Sequence, residues 1–350
     1  MNFSSIIASD ETASQWDAIV ESSPNGTLFH TWKWLKIAEQ YSGSRLYPLI
    51  FFKGSEPIGL VPLFFKNEHG LRMVFSPPPH LALLFLGPIL SEKTEQRSYK
   101  TESSWIEMQN QMDLFLREQL RPHYTMISSA PGVFDDRPFR WAGYQIDNAY
   151  DYVSDIGTGT ETLWQELPKN FRQDINRSAK HGITIERGGE RELVEIYDLL
   201  VQRYREQGRP VKVPKAYLID LYRAFSDHIQ VFVAKYEGKI VTGSIELVHR
   251  DQVGSWIGNL KPMIDISPSP NGILLWEIIK YATTKGYREY LVYGAAGNER
   301  LHRYYATKFN PRLRSRFVAT RATATAGLVE WGYIHCIKPV SEKIRSRSAK

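Results

Sequence analysis

The residues best suited to chemistry lie in the second half of this 350-residue chain. Glu246 is a lone carboxylate on the central strand IVTGSIELV, able to take up a proton directly or through water, with a plain solvent-facing position as the alternative. Tyr293, Tyr304 and Tyr305 are types that give one. Such a set suits a reaction in which an attacking group sheds a proton and a leaving group gains one. The turn Asp265–Gly272 opens a helical pattern that Ser269 or Asn271 is placed to cap. A helix N-terminus carries unpaired amides and a positive dipole end, so Ser269, Asn271 and Gly272 read as a candidate phosphate site. In LPKNFRQDINRSAKHG, positions 172, 176 and 180 share one helix face and 174 and 177 another. Arg172 and Arg177 suit bidentate binding of phosphate or carboxylate, and ion pairs within the helix are their alternative use. The nine histidines show no His-x-x-x-His spacing, and the single Cys336 cannot build a structural zinc site, so no metal is expected. There is no Walker loop, and Gly294-Ala-Ala-Gly297 lacks Rossmann spacing.

The elements that must hold these residues follow from periodicity. The first half reads as helices at 14–22 and 31–41, then a three-strand block ending near Ser76, then a strand in LALLFLGPIL. A polar loop over Ser91–Ser104 leads into a helix over Trp105–Gln119, whose apolar residues fall at 105, 108, 112, 115 and 116. TMISSAP and WAGYQIDNAYDYVSDI read as strands that close this half. The second half offers a short helix in ETLWQEL, the basic helix, the strand ITIER, and helices over Glu190–Glu206 and Pro214–Phe225. A second strand block follows and ends in GSWIGNLK, which carries Trp256 and Leu260. A helix over 273–286 and the strand YREYLVYG complete it.

The two halves repeat. Gly54, Gly59 and Gly70 stand 184 residues before Gly238, Gly243 and Gly254, each in a pattern of strand, turn and strand. Trp34, Leu35, Ala38 and Tyr41 align at the same offset with Leu218, Ile219, Tyr222 and Phe225. The expectation is a duplicated domain: residues 1–156, residues 157–330, and a basic tail at 331–350. Of the 44 Lys and Arg, twelve lie in residues 300–350 against Glu330 and Glu342, and seven fall between Arg300 and Arg321 without an acid. Such a patch suits a polyanion, with a solvated strand face and basic tail as the alternative. One cysteine permits no internal disulfide. The start lacks a basic and apolar leader, and the longest apolar run, Leu81–Leu90, is too short to span a bilayer. A cytoplasmic setting is expected, with the inner membrane surface as a contact for the basic C-terminus.

In its order of elements each half resembles the GNAT acyltransferase fold, and the tandem pair resembles the FemAB-type peptidyltransferases and the BioF2-like or CelD-like acetyltransferases. The segments at 168–182 and 270–310 carry most of this resemblance. It implies an α/β (α+β) protein of two GNAT-like domains, each a mixed, mostly antiparallel twisted sheet flanked by helices, with a cleft between. In that fold the fourth strand splays from the fifth and an acyl-coenzyme A lies between them. Leu260, Ser269, Asn271, Gly272 and Asn298 are the implied donor-binding positions. The turn Ser-Pro-Ser-Pro-Asn-Gly-Ile keeps one glycine of the family's Arg/Gln-x-x-Gly-x-Gly/Ala motif. The stretch from Tyr293 to Pro311 is similar to the FemAB segment of a glycine-rich turn followed by aromatic–Lys–x–x–Phe–Gly/Asn. Tyr305 takes the aromatic position and Phe309-Asn310 fits, while the lysine position falls on Ala306 and Lys308 lies two residues on. Lys308 is the expected group for charge at the reacting carbonyl. Trp34 and Lys36 resemble a first-domain Trp–Lys pair that contacts the acceptor, although paired tryptophans on an amphipathic helix also read as core.

The resemblance implies direct transfer of an acyl group, such as acetyl from acetyl-CoA, to an amine of a cell-envelope or polysaccharide precursor. Glu246 would be base, Tyr293, Tyr304 or Tyr305 donor, and Lys36, Arg172, Arg177 and Trp256 the acceptor contacts. Acyl-CoA is the leading donor and aminoacyl-tRNA the alternative, with a nucleotide-linked or small-molecule acceptor and tRNA as the expected partners. A catalytically silent module that docks RNA or an anionic surface is the competing class. The first half is expected to be the degenerate copy, because its polar loop Ser91–Ser104 has no glycine.

Overall fold

A computed structural model describes residues 3–91, 98–258, 262–294, 299 and 305–324. In chain order the elements are β1 (Phe3–Ile7), α1 (Ala13–Ser22), α2 (Trp32–Ser42), β2 (Arg45–Lys53), β3 (Glu56–Glu68), β4 (Leu71–Ser76) and β5 (Ile89–Leu90). Then come α3 (Ser98–Phe115), β6 (Tyr124–Ser128), α4 (Arg137–Trp141), β7 (Gln145–Asp155), α5 (Thr160–Glu166), α6 (Lys169–Lys180) and β8 (Thr184–Gly188). The remainder is α7 (Glu190–Glu206), α8 (Lys215–Ala224), β9 (Ile229–Tyr236), β10 (Lys239–His249), β11 (Gln252–Gly258), α9 (Pro270–Thr284), β12 (Glu289–Val292) and β13 (Arg312–Ala322). Contacts divide the chain into two compact units: one spans 149–314, and the other takes residues 1–148 together with those from 315 onward.

The sheet of the first unit runs β1-β2-β3-β4-β6 and ends on the 315–322 part of β13. Its first pairings are antiparallel, β4 and β6 are parallel, and β13 returns antiparallel to β6 through Val318↔Ser128. Trp16 and Ile19 of α1 and Trp34, Leu35 and Ala38 of α2 are buried, as their helical spacing requires. Most of LALLFLGPIL is not the expected strand. His80, Ala82 and Gly87 adopt positive φ, which an extended strand forbids, so only Ile89–Leu90 pairs, with Leu60 and Gly59. The side chains of Leu81, Phe85 and Leu86 are buried all the same. Helix α3 begins at Ser98, inside the stretch expected to be loop.

The second unit repeats this order as β8-β9-β10-β11-β12-β7. β8 to β11 form an antiparallel meander, β11 and β12 are parallel, and β7 is antiparallel to β12. Each unit therefore completes its sheet with the strand that follows the other copy's fifth strand: residues 315–322 close the first, residues 149–155 the second. The core of the second unit gathers Leu163, Phe171 and Ile175 of α5 and α6 with Ile273–Ile279 of α9, Val253 and Tyr290.

The duplication is real, but its register is not that of the glycines. The hairpin β2–β3 closes on Lys53↔Glu56 and carries a bulge at Ile58; β9–β10 closes on Tyr236↔Lys239 and carries one at Val241. Both features recur at an offset of 183, one less than the glycine offset. Gly54 thus corresponds to Glu237, which takes φ +50° beside Gly238 in the tight turn. The third glycine pair fails outright: Gly70 sits in a turn at φ +80°, whereas Gly254 lies within β11.

Candidate active site

Thr242, Ser244 and Glu246 alternate along β10 and so share one face of the sheet. Thr242 Oγ1 donates to Asn271 Oδ1 of α9 at 3.0 Å, which identifies that face as the one α9 covers. Glu246 is 0% exposed. Ser244 Oγ donates to its Oε1 at 2.5 Å, and Tyr290 Oη donates to its Oε2 at 3.3 Å. Both partners are hydroxyls and neither is a cation, so burial dominates and pushes the carboxyl up to about 7. A carboxyl with that value exchanges protons near neutrality, as a general base requires.

Tyr290 occupies the same face because it lies opposite Val253 of β11, and Ser255 follows two residues on. Ser255 lies directly opposite Glu246 across the β10–β11 pairing, and burial, with the Glu246 charge beside it, holds the Tyr290 phenol in its protonated form. Ser255↔Val292 is the last pair between the parallel strands; β11 continues to Gly258 without a partner in β12. A bulge at Trp256, between Ile245↔Ile257 and Glu246↔Ser255, bends β11 at this same point. Trp256 is buried there. Leu260 lies outside the described residues.

Tyr293 is placed differently from the other tyrosines. Its ring covers Gly254, where a Cβ would collide with it, and Gly254 pairs with Leu247, which faces away from Glu246. Asp151, fully buried, accepts the Gly294 amide at 2.6 Å and so fixes the turn, which needs φ +66° at Gly294. Burial and the Asp151 charge raise the Tyr293 phenol, keeping it protonated. Tyr305 is buried in the same core as Tyr290 and interacts with it electrostatically. Tyr304 and Asn298 lie outside the described residues.

Lys308 follows within one turn, its amide donating to the Tyr305 carbonyl at 3.1 Å. Its ammonium stands 4.9 Å over the Phe171 ring of α6, and Phe309 meets the same ring edge-on at 5.9 Å. Desolvation lowers the lysine to about 8, against a smaller opposing pull from Asp174. Ala306, at the lysine position of the expected motif, packs on the core instead. Helix α6 thus meets the Lys308 turn through Phe171 and Asp174. Arg177 is committed to Asp174, the intrahelical use, and Arg172 is half-buried one turn before it. Lys36 belongs to the first unit, where it pairs with Glu39 at 2.7 Å; Trp34 is core.

The α9 N-terminus does not fit a diphosphate cradle. Pro270 has no amide hydrogen, the Asn271 amide donates to Ser269 Oγ, and the Gly272 amide donates to the Ser269 carbonyl. Gly272 is needed for another reason, since a Cβ there would press on Phe171 at 3.1 Å. The basic stretch is similarly occupied. Arg312 and Arg314 bind Glu289, Arg316 donates to Ser128 Oγ, and Arg321 pairs with Asp113 at 3.0 Å. These four guanidiniums hold β13 to its neighbours, which reduces the charge free for a polyanion. Arg300, Arg303 and the tail lie outside the described residues. Among the described residues no cluster of His, Cys, Asp and Glu is placed to hold a metal, and no helix is long and apolar enough to cross a membrane.

Sequence reasoning missed Ser244, Ser255, Tyr290, Asp151 and Phe171. The alternation of Thr242, Ser244 and Glu246 was the available signal for Ser244. Pairing partners such as Tyr290 and Ser255 had none.

Comparison with known proteins agrees with this architecture. Residues 167–315 match the family described as Acetyltransferase (GNAT) domain, so most of the second unit is a domain of this kind. The solved structure of FemX aligns with 91% of this chain and 97% of its own at 13% identity and a TM-score of 0.64. A tandem GNAT protein from the clavulanic acid biosynthesis pathway aligns with 91% and 98% at 13% identity and a TM-score of 0.54. L-PGS from Bacillus licheniformis gives 92% and 95%, 13% identity and a TM-score of 0.54. These likenesses show the fold, a tandem GNAT arrangement. No curated protein matches the sequence.

Proposed function

We propose that this chain, whose residues 167–315 form an acetyltransferase (GNAT) domain, is an N-acyltransferase that moves an acyl group directly onto an amine. The observation that carries this reading is Glu246, a fully buried carboxyl near neutrality that accepts from the hydroxyls of Ser244 and of Tyr290, the latter on β12, whose pairing with β11 ends at Ser255↔Val292. An acceptor ammonium must lose a proton before it attacks a carbonyl, and a group of this affinity accepts it at physiological pH. Lys308, half-buried and cationic over an aromatic ring, supplies charge for the oxyanion that develops in the attack. No covalent nucleophile is required.

For the donor, an acyl thioester of coenzyme A is the first reading, supported by the acetyltransferase domain. The occupied amides at the start of α9 favour a second, an aminoacyl ester of tRNA, which does not call for a diphosphate at that turn. The acceptor we propose is an amine on a cell-envelope or polysaccharide precursor. The test is to incubate the full chain with amine acceptors and either labelled acetyl-CoA or labelled aminoacyl-tRNA, and to follow the amide product. Formation of amide from one donor, lost in Glu246→Gln, supports the reading. Equal rates for wild type and Glu246→Gln would overturn it.

A further inference from the structure

Lys308 stands two residues beyond the lysine position of the aromatic–Lys–x–x–Phe pattern, where Ala306 packs on the core instead. Its ammonium has a built seat all the same. We propose that Phe171 is the positioning residue of this site: its ring fixes the place of the Lys308 charge, and Gly272, at the start of α9, fixes the place of the ring. This role rests on the reading of Lys308 as the charge at the developing oxyanion, whereas the contacts that define the seat do not.

The seat is assembled from three elements. Phe171 and Gly272 both lie in the first turns of their helices, α6 from Lys169 and α9 from Pro270, and the two helices meet there. Gly272 is buried, and a Cβ on it would stand 3.1 Å from Phe171 Cε2, a tight approach for packed side chains. Asn271, the residue before it, accepts from Thr242 Oγ1 of β10 at 3.0 Å, which ties the start of α9 to the sheet. The third element is the turn after Tyr305. The Lys308 and Phe309 amides both donate to the buried Tyr305 carbonyl, at 3.1 and 3.5 Å. That turn brings two side chains to one ring: the ammonium at 4.9 Å from its centroid and Phe309 edge-on at 5.9 Å. Phe171 is itself buried, so a displacement forced at residue 272 passes to what rests on the ring.

An aromatic ring suits this task. Its face is negative and attracts a cation within about 6 Å of the centroid. A carboxylate in the same place would neutralise the charge that an oxyanion needs, and a ring does not. Asp174, three residues after Phe171 on the same helix, is the carboxylate whose charge acts on Lys308, but it is bonded to Arg177. The three groups together therefore keep a positive charge.

The test replaces Phe171 in the full chain with mono-, di- and trifluorinated phenylalanine, which keep the ring's shape and weaken its negative face step by step. The Lys308 midpoint is read by NMR titration of ¹³C-labelled lysine, with Lys308→Arg for assignment. It is expected near 8 in wild type. It falls with each fluorine, by roughly half a unit in all, because the cation loses its attraction. A buried aromatic with a merely structural role shows no such trend. An unmoved midpoint across the series overturns the seat whether or not the protein transfers acyl groups. A falling midpoint with kcat unchanged refutes the positioning role.

The link to Gly272 is read by coupling. Gly272→Ala and Phe171→Leu each lower kcat about 10-fold with KM unchanged, and the double variant falls no further than Phe171→Leu alone, since both act through one ring. Losses that multiply to about 100-fold refute the link. The fluorinated chains leave the packing in place, so they decide the seat whether or not Gly272→Ala folds. Absence of amide product from wild type refutes the functional reading, and the titration still decides the seat.

Discussion

The Lys308 ammonium lies 4.9 Å above the ring of Phe171, and this partly buried seat sets its protonation. Burial lowers it to about 8, and Asp174 partly opposes the shift. A lysine of this kind is neutral in a large fraction of molecules just above pH 8. Reductive methylation or acylation at pH 8, read by peptide mass spectrometry, should modify Lys308 ahead of the more exposed Lys36 and Lys239. Asp174→Asn should increase the reaction rate by depressing the lysine further. Equal labelling of all three lysines would contradict the buried seat.

Glu246 makes stability depend on pH in a defined window. Its folded value, about 7, lies above its ordinary value of 4.5, so the native state binds more protons than the unfolded chain between these limits. The contribution is full below 4.5 and declines as pH rises to 7, for a total of about 3 kcal/mol. Glu246→Gln should remove that decline and leave the variant more stable than wild type above pH 7. Urea titrations at pH 5 and pH 8 measure the difference. Parallel losses for both proteins would show that the carboxyl titrates elsewhere.

Gly254 is demanded by the Tyr293 ring rather than by any turn. Gly254→Ala should displace that ring and lose about 1–3 kcal/mol, as an overpacked site does. Gly254→Ala with Tyr293→Phe should be no better, since the ring itself is the obstacle. Gly254→Ala with Tyr293→Ala should recover part of the loss. Thermal melting of these proteins together with the Tyr293→Phe and Tyr293→Ala single variants gives the coupling.

Glu289 anchors two arginines at once, accepting from Arg312 and from Arg314 at 2.7 Å, and also binds Gln252 Nε2 at 2.8 Å. Glu289→Ala should lower stability by about 2 kcal/mol, most of it from Arg314, whose side chain is 21% exposed. Arg312→Ala, on the exposed partner, should cost well under 1 kcal/mol. Chemical denaturation of the two variants tests the ordering.

The fold was legible because periodicity is local. Helix α7 over Glu190–Glu206, the meanders β2–β4 and β9–β11, and α9 all follow from apolar spacing and turn residues. Failures came where backbone conformation outweighs composition: LALLFLGPIL is apolar enough for a strand, yet positive φ at His80, Ala82 and Gly87 breaks it. The site was legible only in part. Glu246 stands out as a lone carboxylate on the repeated central strand, and Lys308 through its place two residues beyond the lysine position of the FemAB-like segment. Tyr290 and Ser255 do not, because each is ordinary in its own strand and acquires meaning only from its pairing partner.

The glycines mark the same boundary. The sequence by itself determined that a strand–turn–strand unit occurs twice, since hairpins are built from local turn chemistry. It did not determine the register: glycines align at 184, while bulges and turn pairs align at 183, and a one-residue slip exchanges the two faces of a sheet. Nor did it show that residues 315–322 complete the first sheet and residues 149–155 the second. Strand pairing is a non-local choice, made by backbone hydrogen bonds that carry no side-chain signature. That choice is what sets Ser255, Tyr290 and Glu246 side by side.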